Sequence, residues 1–458
     1  VSERPPADEV LARYRTLEDE LQRLTASQQF SASINMKLER ISHLMRLLGD
    51  PQEDLPAIHI TGTSGKTSTT TMAAAVLTAA GYRTGLFVSP HLQVVNERFL
   101  LDGRLAPTSM LAGVWERVKP AVAEVERENP FGRPSYFEAQ VAMAFCLFQE
   151  QQVDAAVIEV GLGGTLDATN LVPARVAVLT SVGLDHTAVL GDTVEQIGRD
   201  KAGIIKPGQI VVSGVSQESV REIVAGRCAA QGATLWQRGA QFDAAEHPDG
   251  GLSVALPGAR YDGLRVGMPG AFQAANAACA VAAVHAFSGG LDPRAVRAGL
   301  AQARVPGRME VVQERPLVII DGAHNPDKMR AAAAALQAAH GARRRVVVLA
   351  LKSDKDYREV LGVALQGAAA AVLTRFHVSG PWACFPPETL AEAARELFPG
   401  LPLQTSPEPL QAVELALQGA GPDDLVWITG SLYLLGNVRE RWHPSERLIL
   451  DAEVRSKK

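Results

Sequence analysis

The sequence predicts an α/β protein of two domains, and three observations carry that expectation. Strand-like apolar runs alternate with helical patterns from residue 56 onward. The runs are apolar on both faces, which suits parallel strands covered on either side better than a half-wet antiparallel sheet. A second series of the same kind follows "RVPGRMEVVQERP" (304–316), whose Pro, Gly and charged residues read as a linker. Such alternation builds a doubly wound sheet. The reading is an N-terminal P-loop-type domain over residues 1–305, opening with helices, and a smaller C-terminal Rossmann-like α/β domain over residues 306–458.

The elements follow in order. "PAIHITG" (56–62) is rich in β-formers and stops at glycine. "KTSTTTMAAAVLTAAG" then places Met72, Ala75, Val76 and Ala79 at helical spacing, with Gly81 suited to the helix end. "TGLFVSP" (84–90), "DAAVIEVG" (154–161) and "RVAVLTSVG" (175–183) read as buried strands. Residues 208–268 are richer in β-formers and finish the first domain. In the second, "LVIIDG" (317–322), "RRVVVLAL" (344–351), "AAVLTR" (370–375) and "DLVWITG" (424–430) are strands with helices between them. A site in the cleft between two such domains is expected.

Composition excludes several classes. The 458 residues exceed one core, since domains run to about 100–200 residues. A net charge of −5 without a basic run argues against nucleic acid or an anionic membrane as partner. There is no apolar run of about 18 residues to span a bilayer, and the charged N-terminus lacks the apolar centre of a signal peptide. Cys146, Cys228, Cys279 and Cys384 lie far apart, so neither disulfides nor a cysteine-bound zinc is expected, and a reducing cytoplasm fits.

"TGTSGKTS" (61–68) carries the first chemistry. The standard phosphate loop, G-x-x-x-x-G-K-[ST], has four residues between its glycines; here only Thr63 and Ser64 separate Gly62 from Gly65. Strand before and helix after still aim backbone N–H groups and a helix N-terminus at an anion, with Lys66 reaching the outer phosphates and Thr67 touching them or a metal. Glu159 lies near the end of an apolar strand, where a carboxylate is costly unless partnered or bound to a cation. Both a Mg²⁺ ligand and a partnered structural residue stay open. The glycine-rich loop after it ends in Asp167. Asp185 and His186 follow the next strand end, and on chemistry alone His186 would be an unusual Mg²⁺ ligand. Spacing alone makes Lys201 and Lys206 a solvated basic face and Asn276 ordinary helix surface. Arg308 sits at the domain junction, where a phosphate clamp belongs. "IDGAHNPD" (320–327) places Asp321, His324 and Asn325 at a strand end, and Asn325 before Pro326 is also good helix-cap chemistry.

Together these stretches resemble the folylpolyglutamate synthases and dihydrofolate synthases of the Mur ligase superfamily. The resemblance runs from "MKLERISHLMRLLGDP" (36–51) to "TGSLYLLGNVRER" (429–441). Its most specific pieces are "EVGLGGTLDATN", "GLDHTAVLGDT", "KAGIIKPG", "PGR" and "DGAHNP". It implies an ATPase-type first domain and an ATP-dependent amide ligation: a folate or dihydropteroate carboxylate becomes an acyl phosphate, and the amine of L-glutamate displaces the phosphate. It implies ATP held by Gly62, Thr63, Ser64, Gly65, Lys66 and Thr67, with further contacts from Asn276, Arg308 and Asp321. Ser89, Glu159 and His186 would bind Mg²⁺, Lys201 would be carbamylated, and His324 would lie near the acyl phosphate. Arg98 would meet a substrate carboxylate. Tyr136, Phe137 and Leu166, Asp167 and Ala168 would hold the pterin, an aromatic pair being suited to a flat heterocycle. A monomer is implied.

The chain departs from that family at Ser64, where Asn is usual, at Thr67, where Gly is common, and at Thr165, where many members have Arg. The departures at Ser64 and Thr67 keep a Mur-type ligase adding an amino acid to a UDP-muramyl peptide as the alternative, and Thr165 leaves the details of folate binding open. Such enzymes carry an extra N-terminal domain for the UDP-sugar, whereas about 60 helical residues precede the loop here. A nucleotide switch without ligase chemistry would use the four-residue spacer and an Asp-ended strand.

Overall fold

Ile58 and Ile60 of β1 (Ala57–Thr61) face one way and Ala57 the other, and all are buried. The computed structural model describes residues 6–26, 38–128, 132–378 and 382–455. Met36 and Lys37, at the start of the family-like stretch, lie outside the described residues. β1 stands inside an eight-stranded sheet of order β4-β3-β2-β5-β1-β6-β7-β8. Its other strands are β2 (Thr84–Phe87), β3 (Phe99–Leu101), β4 (Arg104–Leu105), β5 (Ala155–Glu159), β6 (Val176–Leu179), β7 (Ile210–Ser213) and β8 (Thr234–Gln237). β2, β5, β1, β6, β7 and β8 pair in parallel, as the both-face apolar runs predict. β3 and β4 add an antiparallel edge.

Alternation along β5 shows the double covering. Ala155 and Val157 pack with the helices Lys66–Ala79, Phe272–Ser288 and Pro293–Gln302. Ala156 and Ile158 pack with Thr108–Glu128, Tyr136–Glu150 and the N-terminal helices Ala7–Ala26 and Leu38–Leu47. A small antiparallel sheet, β9 (Asp243–Glu246), β10 (Leu252–Leu256) and β11 (Ala259–Leu264), closes over the first of these layers.

The second sheet has the order β12-β13-β17-β14-β15-β16. β13 (Leu317–Asp321), β17 (Leu425–Thr429), β14 (Arg345–Leu349), β15 (Ala370–Leu373) and β16 (Leu403–Thr405) run parallel, and β12 (Glu310–Glu314) pairs antiparallel with β13. Part of the stretch 304–316 is therefore strand rather than linker. β12 is short and half-exposed, so it carries little apolar signal.

The two sheets meet through a polar seam. Arg439 Nη2 lies 3.0 Å from Glu310, and its Nη1 lies 3.6 Å from Glu97 and donates to Gln93 at 2.6 Å. Gln93 in turn donates to Glu440 at 2.9 Å and to the His443 carbonyl at 2.8 Å. The last helix, Ser445–Arg455, returns to the first, with Ile449 packed near Val10.

Candidate active site

Parallel register brings the ends of β5, β1 and β6 together, with Ile60 opposite Glu159 and Thr61 opposite Leu179. Ligands gather at such carboxyl ends. Between Thr61 and the helix Lys66–Ala79 the chain turns at Gly65, whose φ of 81° favours glycine. A Cβ there would also come within 2.2 Å of Asn276 Oδ1. Asn276 is thus buried against the loop, its Nδ2 donating to Gln273 at 2.9 Å, and is not the helix-surface residue its spacing suggests.

Glu159 ends β5 fully buried. The Thr67 hydroxyl donates to its Oε1 at 2.8 Å, and the Ser89 N–H donates to its Oε2 at 3.3 Å. It forms no ion pair among the described residues. Burial raises its pKa, with Lys66 and the Thr67 bond working against the rise. A buried carboxylate with the Thr67 hydroxyl beside it and no bonded cation among the described residues offers oxygen donors that suit Mg²⁺. Ser89 and Glu159 are therefore brought together, with Thr67 as a neighbour. His186 makes no described hydrogen bond or ion pair with either; it is exposed, at φ 51°, with its ring nitrogen 3.9 Å from Asp185.

The two lysines converge. Lys66 Nζ donates to the Gly62 carbonyl at 3.0 Å and Lys201 Nζ to the same oxygen at 3.1 Å. Lys201 is the last residue of the helix Val194–Lys201 and is 3% exposed, which overturns the solvated-face expectation. Burial, and then the charge of Lys66, pull its pKa from 10.5 down to about 7. Lys206 is not a solvated face either, because its ammonium donates to the carbonyls of Asn170 at 2.6 Å and Val172 at 2.5 Å.

From the second sheet, Asp321 ends β13 buried and accepts the N–H groups of Met309 and Ala323, both at 2.9 Å. Those bonds fix the turn that carries Arg308, whose guanidinium lies beside Gly322. His324 donates from Nδ1 to the Gly322 carbonyl at 2.8 Å. Its Nε2 then accepts from Lys328 Nζ at 3.2 Å, and burial keeps the ring neutral. Asn325 caps the helix Pro326–His340, as its place before proline predicts. Lys328, missed in the sequence, crosses to the first half of the chain and meets Asp185 Oδ2 at 3.0 Å. Its position four residues after His324, one helical turn on, was the available signal. Burial brings Lys328 to about 8.

A third group lies on the other helical layer. The helix Tyr136–Glu150 is capped by Ser135, whose hydroxyl accepts the Glu138 N–H at 3.1 Å while Glu138 accepts the Ser135 N–H at 2.7 Å. Arg40 holds Glu138 in a buried pair at 2.8 Å. The first turn so fixed carries Tyr136 and Phe137. Arg98 is buried, donates to His91 Nδ1 at 2.8 Å and lies 5.7 Å from the Tyr136 ring centre. Phe137 packs 6.1 Å from Phe87. Asp167 is buried, Ala168 joins the core and Leu166 is exposed. Thr165 donates from both N–H and hydroxyl to the Asp200 carbonyl, at 3.0 and 2.9 Å, tying this loop to the helix of Lys201.

A phosphate loop by itself would serve any nucleotide-binding protein; pairing its lysine with a second one, opposite a strand end of another sheet, narrows the class. Residues 60–284 match the Mur ligase middle domain, and residues 307–432 match the family described as Mur ligase, glutamate ligase domain. The class is that of the ADP-forming amide ligases. The chain is 36% identical to the dihydrofolate synthase/folylpolyglutamate synthase of Mycobacterium tuberculosis, covering 89% of this chain and 90% of the relative. It is 34% identical to a probable bifunctional folylpolyglutamate synthase/dihydropteroate synthase of Haloferax volcanii, covering 88% of this chain and 48% of that longer protein, so it spans about half of it. Its structure superimposes on Mycobacterium tuberculosis folylpolyglutamate synthase complexed with ADP at a TM-score of 0.86, with 34% identity, over 94% of this chain and 99% of that one. The chain belongs to the folylpolyglutamate synthase/dihydrofolate synthase family. It is a ligase of folate glutamylation, and the UDP-muramyl alternative is set aside.

Proposed function

We propose that the protein joins L-glutamate to the carboxylate of dihydropteroate and of reduced folates through an acyl phosphate. The carboxylate oxygen attacks the γ-phosphorus of ATP, the bond to the β-phosphate oxygen breaks and ADP leaves. The glutamate amine then attacks the acyl carbon, phosphate departs and the amine loses a proton. The observation that carries this reading is the convergence of Lys66 and Lys201 on the Gly62 carbonyl. Lys66 neutralises the transferring phosphoryl group from the loop Gly62, Thr63, Ser64, Gly65 and Thr67. Asn276, Arg308 and Asp321 border the nucleotide, and neutral His324 stands toward the acyl phosphate.

With its pKa at about 7, Lys201 has a substantial free-amine fraction at neutral pH, and a free amine adds CO₂ to give a carbamate and a proton. That replaces one of two crowded cations by an anion. Glu159, Ser89 and His186, with the carbamate beside them, would hold Mg²⁺, which would withdraw charge from the phosphoryl oxygens. Arg98 receives a carboxylate of the acceptor or of glutamate. Tyr136 and Phe137 stack on the pterin, with Leu166, Asp167 and Ala168 along its edge. The division at residues 305 and 306 leaves the chemistry in the cleft of a monomer working in a reducing cytoplasm. ADP release should require both an acceptor carboxylate and glutamate. Equal phosphate release without any pteroate or folate would sink the assignment.

A further inference from the structure

His59 is fully buried in β1, three residues before Gly62, and none of the phosphate chemistry above reaches it. A polar ring in the middle of a parallel sheet is costly unless its hydrogen bonds are used. Its Nε2 lies 2.8 Å from the Thr169 hydroxyl oxygen. That hydroxyl also bonds Asp167 Oδ1, as does the Thr169 N–H at 3.0 Å, while Asp167 Oδ2 accepts the Leu162 N–H at 2.9 Å.

Counting protons fixes the direction. A threonine hydroxyl has one hydrogen. A carboxylate only accepts, so Thr169 gives that hydrogen to Asp167 and takes one from His59. His59 therefore carries its hydrogen on Nε2. Its Nδ1 is buried without a hydrogen-bond partner among the described residues, so a second ring proton would be stranded there. Burial accordingly pushes the ring's pKa well below its ordinary value. The chain runs one way, from His59 to Thr169 to Asp167, and leaves the carboxylate as a pure acceptor.

Asp167 shares its site with an aromatic ring. A Cβ placed on Gly161 would come within 2.5 Å of the Phe137 ring and 3.1 Å of Asp167 Oδ2. Ring and carboxylate thus meet over one stretch of backbone that only glycine leaves open. That pairing suits a flat heterocycle with N–H groups along one edge.

We propose that His59 is a positioning residue for the heterocyclic end of the acceptor substrate, holding Asp167 through the Thr169 hydroxyl as the acceptor for the ring's N–H edge. This rests on the reading above that Asp167 borders the pterin. It also joins the strand that feeds the phosphate loop to the loop that reads the substrate.

The test is dihydropteroate binding by calorimetry, with a non-hydrolysable ATP analogue present, and nucleotide binding measured separately. His59→Leu and Thr169→Val should weaken dihydropteroate roughly tenfold and leave nucleotide affinity unchanged. His59→Gln, whose amide N–H can reach Thr169 from nearly the same place, should recover most of the loss. In steady state the change should appear in KM for dihydropteroate more than in kcat. If Asp167→Asn loses dihydropteroate while His59→Leu and Thr169→Val bind it like wild type, the positioning role is wrong. If Asp167→Asn itself binds normally, the reading of Asp167 fails, and this inference with it. Equal losses of nucleotide and dihydropteroate in both variants would mean a merely structural role and would also overturn it. Should His59→Leu not fold, Thr169→Val removes the same link at nearly constant volume.

Discussion

Two ammonium groups on one carbonyl oxygen repel each other, and burial together with that repulsion favours the neutral form of Lys201. Lys201 has its pKa brought to about 7, so above that pH it is mostly neutral, and the neutral amine is the form that adds CO₂. As pH falls through 7 the amine is protonated, and the proposed carbamate would be lost with it. Activity should therefore decline on the acid side of about pH 7 and drop when CO₂ is stripped from the buffer. Bicarbonate should restore it. Lys201→Ala should be nearly inactive, insensitive to CO₂ and partly rescued by acetate or propionate; a fully active variant would refute the role. This residue was the least legible in the sequence. Gly62 and Lys201 are 139 residues apart, and "RDKAGIIKPG" by itself looks like a solvated helix end. Only the resemblance to a family singled it out. His91 was missed because Arg98 becomes its neighbour through a turn that no local spacing encodes, and the reach of Lys328 to Asp185 was missed because the two lie far apart in the chain.

Elements carry the next layer of the account. The first turn of Tyr136–Glu150 presents Tyr136 and Phe137, and it is held by the Ser135 cap and the buried Arg40–Glu138 pair. Arg40→Met would leave Glu138 buried without its cation. The expected cost is about 3–5 kcal/mol of stability, read from urea unfolding, together with a raised KM for dihydropteroate. Ser135→Ala should cost about 0.5–2 kcal/mol in the same assay. A loss of stability with unchanged KM would separate the turn from substrate binding. The parallel strands were legible because burial on both faces makes them continuous apolar runs, as in β5 and β14. β4, β12 and β16 were not, being partly exposed at sheet edges, where pairing and not side-chain pattern defines the strand. The short phosphate loop was legible because glycine, lysine and threonine there answer a local geometric need.

At the scale of the whole molecule, side chains from both halves of the chain meet beside the candidate site. Lys328 reaches from the helix Pro326–His340 to Asp185 and, on its other side, to His324. The attraction holds Asp185 well below the usual carboxylate range even though burial works the other way. Lys328→Met should lower kcat by roughly tenfold with little change in nucleotide affinity, because the phosphate loop is untouched while His324 loses the ammonium beside it and Asp185 loses its partner across the cleft. An unchanged kcat would show that the link is structural only. Alternation of strands and helices made the two-part architecture legible, whereas the seam of Arg439, Glu310, Glu97 and Gln93 was not, since its members come from three widely separated stretches of the chain. The central claim is that this molecule forms an amide between glutamate and a pterin-bearing carboxylate. It is tested most directly by giving the purified protein ATP, Mg²⁺ and L-glutamate with dihydropteroate, tetrahydrofolate or a UDP-muramyl peptide, and weighing the products by mass spectrometry. The account predicts glutamate adducts of dihydropteroate and tetrahydrofolate, formed with ADP; an adduct of the UDP-muramyl peptide alone would contradict it.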